Sequence, residues 1–373
     1  MTSLAESVAA GLQAELDRSW AADPGLPGIV ATLHAPHIGL AWSGACGGSR
    51  RSGGEPLTPA HAFRIASITK PFTSAVALRL FEQGRLDLFA PIAALLDSGT
   101  RQQLESAGCE PTRITAYHML THGSGLRDHA VAGSGYAEAI LGDPSHVWTH
   151  AEQIELCMSL GGPLSQPGTH FSYSDTAYLI LGDMLERATG QPLHVLMREL
   201  LHFDRLGLVQ THFERHESPP AGQRRAGQYF DDIDVASFDC SCDLSGGGGL
   251  ISTTDELARF FRAACLGELF ERRQTLALAL ATPSLIFVPP RDALHSPLMR
   301  GRWVGSEAGW YHSGFWGAVA AYCPASDVAM ALSFNQAQAG ASTLGVPGDP
   351  TSPSLVDRLA CVAQAAGRAA ARR

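Results

Sequence analysis

The chain has 373 residues, 45% of them hydrophobic and 17% charged, with a formal net charge of −9. That length suits one large or two medium domains with a sizeable core, and the composition excludes extensive disorder. The acidic balance excludes nucleic acid as a partner, since binding it needs clustered basic residues.

The first segment, Met1 to Trp20, carries Glu6, Glu15 and Asp17. It lacks a basic start followed by an apolar run, so it does not read as a secretory signal. Leu4, Val8, Leu12 and Leu16 recur at helical spacing and predict an amphipathic helix. No apolar run reaches the ~18 residues needed to span a bilayer. A membrane partner is therefore not expected, and a cytoplasmic location is. Gly28–Ala35 and Ile38–Ser43 predict two strands of a hairpin, turning near Pro36-His37. Ala62–Ile65 reads as a short strand. Ser67 opens a helical pattern through Phe72, Ala75, Leu78 and Phe81, ending near Gly84.

The middle of the chain predicts helices over Ile114–Thr121, Ala151–Leu160, Asp175–Thr189 and Leu193–Leu201. Thr253-Thr254-Asp255-Glu256 reads as a capping box opening another helix. From about Arg302 the pattern changes. Trp303–Val304, Gly309–His312, Gly317–Cys323 and Val328–Phe334 predict successive antiparallel strands, with a turn at Pro324–Asp327. Leu355–Ala371 closes the chain as a helix, and Arg368, Arg372 and Arg373 read as a solvated tail. The two ends thus supply strands with flanking helices, and the middle supplies helices. This predicts an α/β domain, residues 1–84 and 286–373, interrupted by a mainly helical domain, residues 85–285, with the active site between them.

Eight cysteines, Cys46, Cys109, Cys157, Cys240, Cys242, Cys265, Cys323 and Cys361, lie scattered in mostly apolar surroundings. They read as free thiols, not as a disulfide framework. No cofactor is expected. His118 and His122 sit four apart on a helical pattern, but no Asp, Glu or Cys completes a metal-ligand spacing, so no metal is expected.

Lys70 is the only lysine; all other Lys+Arg positions are arginine. A buried lysine can lose its proton and act as a base, whereas arginine stays charged. Lys70 follows Ser67 by three residues. On a helix that offset places both on one face, about 60° apart around the axis. An amine there can take the hydroxyl proton and turn Ser67 into a nucleophile. Tyr173-Ser174-Asp175 opens a predicted helix. Its tyrosine can relay a proton, and Asp175 can hold the lysine. His312-Ser313-Gly314 lies on a predicted strand. Gly314 would let a substrate approach the strand edge, and the Phe315 N–H would donate to an oxyanion.

The set resembles a known family. Phe63 to Lys70 is similar to the first motif of the β-lactamase-like (penicillin-recognising) serine hydrolases. That family includes class C β-lactamases, DD-peptidases, D-aminopeptidases and family VIII carboxylesterases. Ile114 to Leu126, Tyr173-Ser174-Asp175, Gly247 to Thr253 and His312-Ser313-Gly314 resemble its further signatures, over about residues 25 to 335. The resemblance implies α/β plus all-α architecture, with a central antiparallel sheet flanked by helices and an inserted helical domain. It also implies acylation of Ser67, with Lys70 and Tyr173 sharing proton transfer, and release of the acyl group by water or another nucleophile.

Two departures stand out. Asp175 replaces the usual asparagine of the second motif. His312 replaces the lysine that β-lactamases carry in the third, which weakens the case for a β-lactam carboxylate. Phe315-Trp316 is bulky and would wall an apolar acyl pocket. The expected function is hydrolysis of an ester or amide bond in a small molecule or short peptide through acyl-Ser67. An acyltransferase of specialised metabolism and a penicillin-recognising sensor without turnover are the alternatives. No oligomeric state is implied. Specificity is expected in the loops Arg127–Trp148 and Glu217–Asp243.

Overall fold

Ser3 caps the first helix, α1 (Leu4–Ala22), accepting from the Glu6 N–H while the Glu6 carboxylate accepts from the Ser3 N–H. The structure, a computed structural model, describes residues 3–23, 25–283, 294–337 and 353–371. Met1, Arg372, Arg373 and the domain boundary expected at 285–286 lie outside the described residues. Val8, Leu12 and Leu16 are buried as their spacing predicts, whereas Leu4 is exposed.

The hairpin follows as β1 (Gly28–Ala35) and β2 (Leu40–Gly47), paired from Gly28↔Gly47 to Ala35↔Leu40. A 3-10 turn at Pro36–Ile38 and a left-handed Gly39 (φ 68°) occupy the connection, so β2 starts two residues later than expected. The chain then runs through β3 (His61–Arg64), α2 (Thr69–Glu82), α3 (Ser98–Ser106), α4 (Ala116–Leu120), α5 (Tyr136–Gly142) and α6 (His150–Ser159). Next come α7 (Asp175–Thr189), α8 (Leu193–Leu200) and α9 (Phe203–Leu206). Five short strands follow: β4 (His212–Phe213), β5 (Arg224–Arg225), β6 (Tyr229–Phe230), β7 (Ile233–Asp234) and β8 (Leu250–Ser252). Then come α10 (Thr254–Leu266), α11 (Arg273–Ala279), β9 (Leu294–His295), β10 (Arg300–Val304), β11 (Glu307–Gly314), β12 (Ala318–Cys323), β13 (Val328–Ser333) and α12 (Leu355–Ala371).

The main sheet is antiparallel, in the order β2-β1-β13-β12-β11-β10-β9. The β1–β13 pairing joins the two ends of the chain in one sheet. Alternation along β1 assigns its faces. Ile29, Ala31 and Leu33 pack in one core with Val8, Leu12 and Leu16 of α1 and Leu355, Leu359 and Ala363 of α12. Val30 belongs to the opposite core, with Leu257, Phe260 and Phe261 of α10. Thr32 points the same way and shares a hydrogen bond with Thr254 (2.8 Å). Thus α10, which the sequence places in the middle segment, packs on the sheet.

Two expectations are modified. Thr253 caps α10 by accepting from the Glu256 N–H, but the reciprocal half of the capping box is absent. The Glu256 carboxylate turns instead to the Gln210 N–H (2.7 Å) and the Thr211 hydroxyl (2.6 Å). The middle segment also supplies β4, β8 and β5, which join β3 of the first part in a small sheet ordered β4-β8-β3-β5, and the β6–β7 ladder. Strands of two or three residues carry no readable period. All eight cysteines are free thiols. Among the described residues no helix is long and apolar enough to cross a membrane.

Candidate active site

Ser67 sits in a 3-10 turn, Ala66–Ile68, between β3 and α2. Ala66 precedes it with φ 47°, a left-handed conformation that costs a β-carbon residue energy and marks a sharp turn. Residues i and i+3 eclipse in a 3-10 turn, so Ser67 and Lys70 stand closer to one line than a full α-helix would allow. Lys70 donates to the Ser67 Oγ (2.9 Å), to the Gly247 carbonyl (3.0 Å) and to the Asp175 carboxylate. These contacts occupy all three ammonium protons. Lys70 is 1% exposed, and every residue of α2 except Phe81 is buried. A helix buried on nearly all sides holds its amine in one place.

Tyr173 arrives from the opposite side and donates its phenol to the Ser67 Oγ (3.0 Å). Ser174, not Asp175, caps α7: it accepts from the Ala177 N–H (3.0 Å) and donates to the Arg127 carbonyl (2.7 Å). That frees the Asp175 carboxylate for Lys70. His122 braces the tyrosine. Its ring stacks on Tyr173 at 4.4 Å, its Nδ1 accepts from the Ser174 N–H (3.2 Å), and its carbonyl accepts from the Ser172 N–H. His118 instead turns to the Thr115 N–H, so the two histidines diverge. Among the described residues no cluster of His, Cys, Asp or Glu could hold a metal.

Burial disfavours the Lys70 ammonium, but the Asp175 and Tyr173 charges outweigh it and raise its pKa above the ordinary value. Burial, then the Asp175 charge, pushes the Tyr173 phenol up to about 12, against the pull of Lys70. Burial, with help from His295 and Lys70, drives His122 well below the ordinary imidazole value, so the ring beneath Tyr173 is neutral.

His312, Ser313 and Gly314 end β11, whose strand contacts the Ser67 turn. The absence of a side chain at Gly314 serves the protein's own backbone. A β-carbon there would lie 2.2 Å from the Ile65 carbonyl oxygen. The space is thus taken by the Ser67 segment and is not left for a substrate. His312 is 4% exposed, with Nδ1 2.9 Å from the Ser313 carbonyl. Burial, Arg300 and Lys70 drive it well below the ordinary value.

A family profile described as beta-lactamase matches residues 18–345. The chain belongs to the beta-lactamase family. It is 32% identical over 282 residues to esterase EstB of Burkholderia gladioli, covering 69% of this chain and 70% of that one. It is 27% identical over 211 residues to the D-alanyl-D-alanine-carboxypeptidase/endopeptidase AmpH of Escherichia coli, covering 56% of this chain and half of AmpH. Among solved structures, a D-stereospecific amidohydrolase from Streptomyces sp. superposes with TM-score 0.74 at 24% identity, over 89% of this chain and 96% of that one. The D-amino acid amidase of Ochrobactrum anthropi SV3 with D-phenylalanine superposes with TM-score 0.76 at 20% identity, over 98% and 99%. The beta-lactamase-family fold is therefore that of this chain, and the protein is an enzyme of the serine-hydrolase type.

Within this beta-lactamase-family scaffold Ser67 borders a cavity of about 140 Å3. Its walls come from the two loops in which specificity is expected. Ala130, Tyr136, Ala137, Ile140 and Leu141 belong to the first, and Phe230, Phe238, Cys242 and Asp243 to the second; Phe315 and Trp316 complete it. The Tyr136 hydroxyl donates to the Cys242 carbonyl (2.8 Å) and accepts from Gln153 (2.6 Å), tying the two loops together. Three contributors escape the sequence reading: His122 behind Tyr173, the Gly247 carbonyl on Lys70, and Asp243 in the wall. His122 and Gly247 fall inside recognisable motifs, which was a usable signal. Asp243 follows Cys240-Ser241-Cys242, and nothing local marks it.

Proposed function

We propose that the protein hydrolyses an ester or amide bond of a small molecule or short peptide through an acyl-Ser67 intermediate. The observation that carries this is the Ser67 hydroxyl, held by both Lys70 and Tyr173 at the edge of an apolar cavity. In this reading the Lys70–Tyr173 couple takes the Ser67 proton as Oγ attacks the carbonyl carbon. The same couple returns the proton to the departing alcohol or amine, and water then releases the acid. Ser67 and Phe315, on two segments in contact, supply backbone N–H groups to the oxyanion. Ser313 stands beside them as a polar group for the substrate. His312, neutral and buried, orients the strand end and offers no positive charge to a substrate carboxylate.

The frame is the division into residues 1–84 with 286–373 and residues 85–285, with α10 of the latter packed on the sheet of the former. Ser67, Lys70 and His312 come from the first part, Tyr173 and Asp175 from the second. The cavity matches the ~150 Å3 that accommodates a benzene ring in an apolar protein interior, so it suits an aromatic or branched acyl group. The names of EstB and of the amidases agree with an ester or amide bond. The decisive experiment is hydrolysis of p-nitrophenyl butyrate by the wild type and Ser67→Ala, with intact mass after a fluorophosphonate quench. Turnover and a mass increment that Ser67→Ala lacks are expected. Equal rates and equal masses for both proteins would overturn the assignment.

A further inference from the structure

The cavity beside Ser67 has one polar feature that acyl transfer does not use. Asp243 lines it together with Ser67 and Asp175, among Ile140, Leu141 and Phe238. One carboxylate oxygen accepts from the Trp316 indole N–H (3.0 Å). Among the described residues, the other oxygen receives no hydrogen bond and Asp243 forms no ion pair. Asp243 is half-buried, so this second oxygen is an acceptor position open to an incoming donor.

The nearby cations are already committed. Lys70 spends its three protons on Ser67, Asp175 and the Gly247 carbonyl. Arg64 is spent on Glu214 (2.7 Å) and on the carbonyls of Val235 (2.8 Å) and Phe238 (3.1 Å). Asp175 and Asp243 thus face one cavity with a single ammonium between them. Burial, reinforced by the Asp175 charge, pushes the Asp243 carboxyl up to about 7. A cation entering the cavity would bring it back down. The backbone makes room for this carboxylate: a β-carbon at Gly248 would lie 2.1 Å from its Oδ1.

We propose that Asp243 is the counter-ion for a primary ammonium on the acyl portion of the substrate, so that the preferred substrates are aminoacyl esters or amides with a free amine. The inference rests on Ser67 being the nucleophile of the same cavity. It goes further by naming the substrate class and the residue that selects it. The aromatic walls hold the side chain, and the carboxylate holds the amine.

The test is competition against p-nitrophenyl butyrate hydrolysis by the full chain. D- and L-phenylalaninamide are compared with 3-phenylpropanamide, which lacks only the amine. The inhibition constant is read whether or not the competitor is itself cleaved. One enantiomer of phenylalaninamide should bind about tenfold or more tighter than 3-phenylpropanamide, as a charge-assisted hydrogen bond allows. In Asp243→Asn that ratio should collapse towards unity. Reading the ratio within each protein cancels any general loss of activity. Equal inhibition by the two amides in the wild type, or a preference that survives Asp243→Asn, would overturn the proposal. If Asp243→Asn does not fold, N-acetylphenylalaninamide in the wild type decides. Acetylation must cost as much affinity as removal of the amine, and no cost overturns the proposal. If butyrate turnover does not depend on Ser67, the hydrolase reading has failed separately. The same amides are then compared by calorimetric titration, with the same ratios deciding.

Discussion

Asp175 stands where the family's second motif usually has asparagine, and the difference is one of charge, not of reach. Its carboxylate takes the Lys70 proton contact an amide oxygen would take, and it also stabilises the ammonium. A proton-accepting couple works only after losing one proton, and that loss belongs to the Lys70–Tyr173 pair as a unit, so activity should rise with pH as the pair deprotonates. In Asp175→Asn the anion is gone and burial dominates, which favours the neutral amine. The acid limb of kcat/KM for p-nitrophenyl butyrate should therefore move to lower pH; an unmoved limb would remove Asp175 from the proton balance. His122 gives a second test. It touches Tyr173 without reaching Ser67, so it is a positioning residue. His122→Ala should lower kcat about tenfold or more, with KM little changed, since misplacing a reacting group costs rate before affinity. His122→Phe, which keeps the stack and loses the acceptor, should recover part of it. At this scale the sequence was informative where short spacing does the work. Ser67 and Lys70 are three residues apart and Tyr173 opens a helix, so each carries a local signature. Asp243 and His122 act through tertiary neighbours, and spacing along the chain does not report those.

Elements show the same divide. The long helices and paired strands are legible because each buries one face at a fixed period, as Ile29, Ala31 and Leu33 do against α1 and α12. The short strands β4 to β8 are not legible, since two residues make no period. Its place on a strand edge suggests Gly314 as an opening for substrate, yet its missing side chain admits the Ile65 carbonyl. The outcome for Gly314→Ala follows from that contact. A β-carbon must push β11 and the Ser67 turn apart, and overpacking of this kind costs about 1–3 kcal/mol. Thermal unfolding should fall by several degrees, and kcat should fall with it. A variant with wild-type activity would show that the Ser67 turn is not registered by β11.

Across the whole molecule, the nucleophile segment is anchored to the pocket wall by a buried ion pair. Arg64, three residues before Ser67, is 7% exposed and binds Glu214, with two carbonyls of the wall loop. Glu214→Gln leaves that guanidinium buried without its counter-charge, a change that costs about 3–5 kcal/mol. The pH dependence has a definite sign. Burial raises the Glu214 carboxyl, but Arg64 and Arg225 outweigh it and hold it below the ordinary glutamate value. Its stabilisation is therefore complete above the unfolded value of about 4.3 and is lost as pH falls through the lower folded value. Chemical denaturation at pH 7 and at pH 3 should show a large gap between wild type and variant at pH 7 that narrows on acidification. Lys70 has a consequence of another kind. It is the chain's one lysine, enclosed between the rings of Tyr173 and Tyr178 at 5.2 and 5.5 Å. A sample grown on 15N-labelled lysine therefore carries one side-chain ammonium signal per molecule, and that signal comes from the reaction centre. Titrating it, free and with a bound competitor, reads the charge on the base directly, with no assignment to make.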